Sequence, residues 1–263
     1  MRIIYEPRGR AAEYAPLAVS LYRGCPHGCV YCFAPDSTRM TREDFRDYPR
    51  ARPNALKFLE RDCQELQRAG DMREILMSFT TDPYQPLEKR LGLTREAIKI
   101  FHRYNLHYTI LTKGGERSAS DLELMATRLD LCRYGATLTF SGDDECIWEP
   151  GAASNLDRCH VLQIAHELDI LTWVSIEPPV YLKQSLDLIK FTRYFVDEYR
   201  IGKFNHIDDP KIQHFMDDIR YKYPTDAEWR RFVQDAKVLL DESGNRYIFK
   251  KDLQPYLQAA GVQ

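Results

Sequence analysis

Three of the seven cysteines lie within one short segment, YRGCPHGCVYC, at positions 22–32. Cys25, Cys29 and Cys32 follow a Cys-x3-Cys-x2-Cys spacing among small and polar neighbours. Thiolates are soft ligands that suit zinc or an iron–sulfur cluster, and a four-iron cluster normally takes four protein thiolates. Three thiolates from one loop would hold three irons and leave the fourth iron open to another ligand.

Two other interpretations of this loop stay open at the level of residue types. A zinc site built from the cysteines and His27 is chemically possible, although paired knuckles are the usual zinc pattern. A loop without any metal is the second alternative. We expect the cysteines at 63, 132 and 159 to be core residues on apolar helical faces, whereas Cys146 falls in a predicted loop and is ambiguous.

The elements that must position the loop alternate between strand and helix patterns. The strand patterns occupy residues 17–22, 74–79, 107–112, 135–140, 170–177, 200–205 and 246–251. The helix patterns occupy residues 54–69, 93–105, 119–129, 156–168, 185–199 and 226–240. Such alternation implies parallel strands with right-handed crossovers, and about six units predict an α/β fold of the partial (β/α)6-type TIM-barrel kind.

The same pattern predicts the organisation of the whole chain. We expect one domain over residues 1–263, with a core at about 17–205 and a C-terminal helical extension at about 206–263. The stretch 203–225, rich in His, Asp and Pro, is predicted to be a long loop. We therefore expect the functional site to lie on this single barrel.

Polar residues stand at the predicted carboxyl ends of the strands, where barrels of this kind carry their chemistry. They are Thr80, Thr81, Asp82, Thr112, Lys113, Thr139, Ser141, Ser175, Glu177, Lys203 and Asn205. The cysteine loop follows the first strand. We therefore expect the thiols and these polar side chains to meet on the same rim.

Composition excludes some classes of function. The net charge of −2 gives no global electrostatic reason to bind nucleic acid or a membrane surface. No stretch approaches the roughly 18 apolar residues of a membrane span, and the first residues contain no apolar signal segment. The odd number of cysteines argues against a disulfide framework. A cytoplasmic protein without a membrane partner is the expectation.

The cysteine loop, with Tyr31 and Phe33 on either side of Cys32, resembles the signature of radical S-adenosylmethionine (SAM) enzymes. Four further segments follow it in order, and together they resemble the spore photoproduct lyase-like branch over roughly residues 20–180. They are TTDPYQPLE, LTREAIKIF, LTKG and EPGAASNLDR. The resemblance implies a [4Fe-4S] cluster and SAM as cofactors, and a reductant such as flavodoxin or ferredoxin as a partner.

The resemblance also assigns roles to residues that match the family's motifs. Cys25, Cys29 and Cys32 would ligate the cluster. Thr80, Thr81 and Asp82 would contact the amino group of the methionine moiety. Lys113 would lie near the carboxylate of that moiety, Ser141 would be directed at the cofactor, and Asp143 could serve the ribose.

The implied function is reductive cleavage of SAM to a 5′-deoxyadenosyl radical, which abstracts hydrogen from a substrate. A nucleobase or nucleic acid is the substrate class suggested by the family, with a peptide or small metabolite as the alternative. The lyase uses a cysteine three residues before the motif's aspartate as hydrogen donor, and this sequence has Phe79 there. A different final step is therefore expected. The alternative function is a non-catalytic zinc or iron–sulfur module that recruits a partner.

Overall fold

The computed structural model describes residues 2–204 and 206–258. Its strands are β1 (Ile4–Tyr5), β2 (Leu17–Val19), β3 (Tyr22–Arg23), β4 (Arg50–Ala51), β5 (Ile75–Met77), β6 (Tyr108–Thr112), β7 (Cys132–Thr137), β8 (Leu171–Ile176), β9 (Glu198–Ile201) and β10 (Arg246–Phe249). Its α-helices are α1 (Ala34–Thr38), α2 (Arg42–Asp47), α3 (Ala55–Ala69), α4 (Glu88–Leu91), α5 (Leu93–Arg103), α6 (Leu122–Ala126), α7 (Glu145–Trp148), α8 (Asn155–Glu167), α9 (Leu182–Thr192), α10 (Pro210–Asp218), α11 (Asp226–Ser243) and α12 (Gln254–Gln258). Two 3-10 helices, Gly9–Glu13 and Gly115–Asp121, complete the described elements.

Eight strands form one sheet in the order β1-β2-β5-β6-β7-β8-β9-β10. Strand β1 pairs antiparallel with β2, and every other pair in this sheet is parallel. Helices connect the parallel strands, as the alternating pattern predicts. The predicted α/β fold with parallel strands is confirmed, with β10 as a seventh parallel strand at the edge.

Local sequence explains where several helices begin and end. The Thr225 hydroxyl accepts from the backbone N–H of Glu228, whose side chain in turn accepts from the Thr225 backbone, so α11 begins with a capping box. The Ser154 side chain caps α8 through the backbone N–H of Asp157. Helix α3 ends at Gly70, which adopts the left-handed conformation at φ 65°.

Several predicted boundaries differ from the structure because tertiary pairing decides them. The predicted strand 17–22 is divided, since β2 joins the main sheet whereas β3 pairs with β4 in a separate ribbon. Strand β7 begins three residues earlier than predicted, in register with β6. Cys132 therefore lies at the start of a strand and not on a helical face, although its side chain is buried. The predicted helix 185–199 ends at Thr192, and the strand β9 follows.

The predicted long loop 203–225 contains helix α10. Asp209 caps this helix by accepting from the Lys211 backbone, and Pro210 occupies the first turn. Ile212 and Met216 on the helix join a small apolar cluster around Trp148, separate from the main core. The Asp-Pro pair was the local signal for this helix. This apolar cluster packs beside the cysteine loop.

The described helices include none that combines the length and the apolar character needed to cross a membrane.

Candidate functional site

A cavity of about 530 Å³ opens at the carboxyl ends of the parallel strands. Residues from β5 to β8, and from the loops that follow them, contribute to its wall. They include Ser78, Phe79, Thr81, Asp82, Leu111, Thr112, Lys113, Thr137, Ser175 and Glu177. Cys25, Cys29 and Cys32 line the same cavity. Parallel strands bring their carboxyl ends to one edge, which explains why residues so distant in sequence converge here.

Backbone hydrogen bonds hold the cysteine loop against two neighbouring segments. The backbone N–H of Cys25 donates to the Phe45 carbonyl over 2.8 Å. The N–H of Val30 donates to the Trp148 carbonyl over 2.9 Å, and the N–H of Gly151 donates to the His27 carbonyl over 2.8 Å. Thus the loop is fixed from both sides by main-chain contacts.

Glycines allow the tight path of the loop. Gly24 has a φ of 84°, and a Cβ atom there would lie 2.7 Å from the Phe45 carbonyl oxygen. Gly28 has a φ of 65°. Both values lie in the left-handed region that glycine adopts without steric cost. The chain can therefore turn three cysteines towards one cavity.

Burial makes the thiols poor acids when they have no metal partner. Desolvation raises the pKa of Cys25, Cys29 and Cys32, while the ammonium of Lys113 acts in the opposite direction on Cys29 and Cys32. A thiol that coordinates a metal is deprotonated outright. The donor set, three half-buried free thiols on one loop, therefore fits a thiolate-bound iron–sulfur cluster.

A single zinc ion is the other metal that the cysteines and His27 could hold. Among residues 2–204 and 206–258, no three His, Cys, Asp or Glu side chains are grouped so that they could hold one metal ion. A zinc ion needs ligands that converge on one point, whereas a cluster distributes its thiolates over separate irons. His27 Nε2 is also engaged, at 3.0 Å from Nη2 of Arg117.

The predicted threonine–aspartate motif divides between two roles. Thr81 lines the cavity and donates to the Gly24 carbonyl over 2.7 Å. Thr80 is not part of the cavity wall, and its hydroxyl lies 3.0 Å from that of Ser20. Asp82 borders the cavity but accepts hydrogen bonds from the Thr112 hydroxyl and the Lys113 backbone, each at 2.7 Å. Its carboxylate joins the ends of β5 and β6.

The other predicted cofactor contacts lie at different places. Lys113 lines the cavity with its ammonium 5.5 Å from the centre of the Tyr31 ring. Burial lowers the pKa of Lys113, and the nearby Cys29 opposes that shift. Ser141 and Asp143 are exposed and outside the cavity wall. The backbone N–H of Ser141 donates to Oε1 of Gln184 over 3.1 Å.

The rim candidate Lys203 is not among the described residues that line this cavity. The ammonium of Lys203 lies 3.0 Å from the Tyr256 hydroxyl and 5.1 Å from the centre of the Trp229 ring. Asn205 lies outside the described residues. Cys146 is exposed, and it is absent from the part of the cavity wall formed by the described residues.

Several residues of the site were missed by the sequence analysis. Tyr14 enters the cavity from the N-terminal segment and hydrogen-bonds both Ser175 and Glu177. Lys250, from just after β10, donates to Glu177 over 2.6 Å. Arg10 donates to the other oxygen of Glu177 over 2.8 Å. Their sequence positions gave no signal, since they come from the two ends of the chain.

Comparison with known protein families identifies the family to which this chain belongs. Residues 19–192 match the sequence model of the Radical SAM superfamily. This chain is a radical SAM protein. Membership implies an enzyme that uses SAM together with an iron–sulfur cluster, and it confirms the resemblance to radical SAM enzymes that the cysteine loop carries.

Solved structures show the same fold for this radical SAM protein. A mutant of spore photoproduct lyase is 13% identical with a TM-score of 0.73, and the match covers 93% of this chain and 79% of the lyase. Streptococcus suis SuiB bound to S-adenosylmethionine is 13% identical with a TM-score of 0.63, over 94% of this chain and 53% of SuiB. The partial-barrel architecture is shared with both proteins.

An uncharacterised protein of Methanocaldococcus jannaschii is 25% identical over 242 residues, covering 91% of this radical SAM protein and 88% of the relative. An uncharacterised protein of Mycobacterium tuberculosis is 35% identical over 105 residues, covering 36% and 29% of the two chains. The archaeal relative therefore extends the similarity over nearly the whole chain.

Proposed function

We propose that this protein cleaves SAM reductively at a [4Fe-4S] cluster held by Cys25, Cys29 and Cys32, and that a 5′-deoxyadenosyl radical then takes hydrogen from a substrate. One observation carries the proposal: the three thiols line the same cavity as Thr81, Asp82 and Lys113. The bound cluster supplies the electron that breaks the carbon–sulfur bond of the sulfonium. Flavodoxin or ferredoxin is the proposed reductant.

The residues of the chain bind and orient the cofactor. Lys113 presents a fixed cation at the cavity wall, which suits the carboxylate of the methionine moiety. Thr81 and Asp82 line the cavity after the neighbouring strand β5. Their oxygen atoms would contact the amino group of the methionine moiety of SAM. The Asp82 oxygens already accept protein hydrogen bonds, so its contribution is a held negative charge.

The final step differs from that of the lyase in this proposal. Phe79 stands where the lyase-like branch has its donor cysteine, and its ring packs edge-on against Tyr14 with centroids 5.7 Å apart. A phenyl ring has no exchangeable hydrogen. Cys146 is exposed and outside the described cavity wall, so it does not replace the missing thiol. The product radical is therefore quenched by a different route.

We propose a nucleobase as the substrate, within a nucleic acid or as a smaller nucleotide. A lyase with this fold was solved with a dinucleoside spore photoproduct. Phe33 and His206 stack at 6.3 Å with an interplanar angle of 19°, and both line the cavity and reach the surface. Flat side chains at the cavity mouth suit a flat base, and an extruded base is how enzymes reach nucleobase atoms.

The alternative substrate is a peptide, since SuiB was solved with the precursor peptide SuiA. Binding of labelled DNA, RNA and unstructured peptide across a salt series separates the two classes. Phosphate contacts give an affinity that falls steeply with salt. Tight, salt-independent binding of peptide with none of nucleic acid would replace the nucleobase by a peptide in this proposal.

The decisive experiment for the reaction is anaerobic reconstitution with iron and sulfide, followed by dithionite and SAM. We expect 5′-deoxyadenosine and methionine in equal amounts. Cys29→Ala should abolish both products, whereas Cys146→Ala should keep them because Cys146 is exposed and outside the described cavity wall. A fully loaded protein that yields no deoxyadenosine would favour the non-catalytic module instead.

A further inference from the structure

A buried ion pair lies directly behind the cysteine loop. The side chains of Glu149 and Arg158 are 0% and 1% exposed, and they contact each other through Oε2 and Nη2. Arg158 also donates to the Thr137 and Ala153 carbonyls, each over 2.9 Å. These contacts fix the Arg158 guanidinium. Because the guanidinium pairs with Glu149, it also restrains the Glu149 carboxylate.

The second oxygen of Glu149 faces the site. Oε1 accepts from the Tyr31 hydroxyl, and from the Thr139 hydroxyl over 3.1 Å. The ammonium of Lys113 lies 3.9 Å from the same oxygen and 5.5 Å from the Tyr31 ring centre. The Glu149 carboxylate and the Tyr31 ring therefore lie on two sides of the Lys113 ammonium, and we call these two groups the seat of Lys113.

A lysine side chain without such a seat would sample many conformations. Such a side chain loses rotamer entropy when it is ordered. Lys113 has to present its charge at one point of the cavity wall if it is to bind a carboxylate there. The Glu149 carboxylate and the Tyr31 ring supply that order before the ligand arrives, which lowers the entropic cost of binding.

We propose that Glu149 is a positioning residue that holds the Lys113 ammonium beside the cysteine loop, ready for the anionic group of the cofactor. The inference rests on the proposed function, since it assigns Lys113 to the cofactor's carboxylate. Because Glu149 also accepts a hydrogen bond from the Tyr31 hydroxyl, the carboxylate that lies beside Lys113 is bonded to the cysteine loop itself. The Lys113 charge at the cavity wall is thereby held at a fixed position relative to the thiols.

The first test measures how accessible Lys113 is. The reconstituted protein without SAM is treated with an amine-reactive reagent, and modification of each lysine is followed by mass spectrometry. Glu149→Gln keeps the shape of the side chain and one acceptor oxygen but removes the charge. We expect Lys113 to be modified about fivefold faster, with the exposed Lys89 unchanged. Glu123→Gln, an exposed site, is the matched control and should change neither rate.

The second test measures SAM affinity in a double-mutant cycle. Lys113→Met and Glu149→Gln should each weaken binding, and the double variant should bind no more weakly than Lys113→Met alone. Multiplicative losses in the double variant, or an unchanged Lys113 modification rate in Glu149→Gln, overturn the inference. Wild-type protein that loads iron but binds no SAM overturns the proposed function instead, while the modification test still decides the position of Lys113.

A further control separates loss of folding from loss of the contact between Glu149 and Lys113. Glu149→Gln leaves Arg158 without a charged partner, so the charge-balanced pair Glu149→Gln with Arg158→Met is examined in parallel. We expect that pair to load iron, to expose Lys113 and to bind SAM more weakly. If both variants fold but load no iron, Glu149 serves the cluster loop and not Lys113, and the inference is wrong.

Discussion

The Arg117 guanidinium donates a hydrogen bond to Nε2 of His27 over 3.0 Å, within the cysteine loop. Arginine can only donate, so Nε2 accepts and the proton of the neutral imidazole is on Nδ1. Nδ1 faces Oδ2 of Asp82 at 3.7 Å. Burial lowers the pKa of His27 to about 4, with Asp82 acting in the opposite direction. Both ring nitrogens therefore have protein neighbours.

This contact predicts that His27 is not a metal ligand. His27→Gln, whose amide oxygen can also accept from Arg117, should keep an iron content close to that of the wild type after reconstitution. Cys29→Ala should lose most of its iron, because a ligand itself is removed. Iron, zinc and sulfide are measured together in each variant. Equal loss in the two variants, or zinc bound in place of iron, would contradict the assignment.

Glu177 predicts an acid-dependent part of the stability. Burial acts to raise the pKa of Glu177, but the ammonium of Lys250 and the hydrogen bonds from Lys250, Tyr14 and Arg10 outweigh it, so the pKa lies below its ordinary value. A carboxylate with a depressed pKa stabilises the fold fully above the unfolded pKa of about 4.3, and this contribution is lost as the pH falls through the folded pKa.

Accordingly, Glu177→Gln should reduce the free energy of unfolding by about 3 kcal/mol at pH 7, because Lys250 stays buried without its partner. The deficit relative to the wild type should shrink as the pH is lowered below about 4. Urea denaturation at several pH values measures both effects. Glu123→Gln, at an exposed position, is the control. A deficit that stays constant with pH would refute this origin of the stability.

Gly151 supports the cysteine loop by having no side chain. A Cβ atom at this position would lie 2.4 Å from the Pro26 carbonyl oxygen and 3.0 Å from the Cα atom of His27. Gly151→Ala should therefore push the loop away and reduce the iron bound after reconstitution, with a loss of about 1–3 kcal/mol in unfolding free energy. Gly142→Ala is the matched control, since only the Gln184 amide comes within 4 Å of its Cβ. Normal iron binding in Gly151→Ala would show that the loop tolerates displacement.

Trp173 gives a prediction about the interior of the barrel. Its indole N–H donates to the Thr109 hydroxyl over 2.8 Å, and both residues are fully buried. Thr109→Val leaves the N–H without a partner and should destabilise the fold by about 1–3 kcal/mol. The exposed Thr127→Val serves for comparison in the same denaturation series. Equal stability of the two variants would mean that the buried N–H finds another acceptor.

Much of the site's location followed from the sequence, whereas the partners of its residues did not. The cysteine spacing and the strand ends predicted that Cys25, Thr81 and Lys113 would face one rim, and they line one cavity. Ser141 occupied a predicted strand end as well, but β7 ends at Thr137 and Ser141 lies beyond it, exposed. A shift of a few residues at a strand end decides which side chains reach a barrel mouth.

The sequence by itself determined features that depend on residues close together in the chain: the three thiols of one loop and the alternation of strand and helix. Only the tertiary structure decided that Tyr14 and Lys250 meet on Glu177, or that Glu149 stands behind Tyr31 and Lys113. Periodicity and capping depend on neighbours in the chain. Ion pairs and cavity walls depend on crossovers that bring together residues separated by tens or hundreds of positions, and no local pattern encodes those distances.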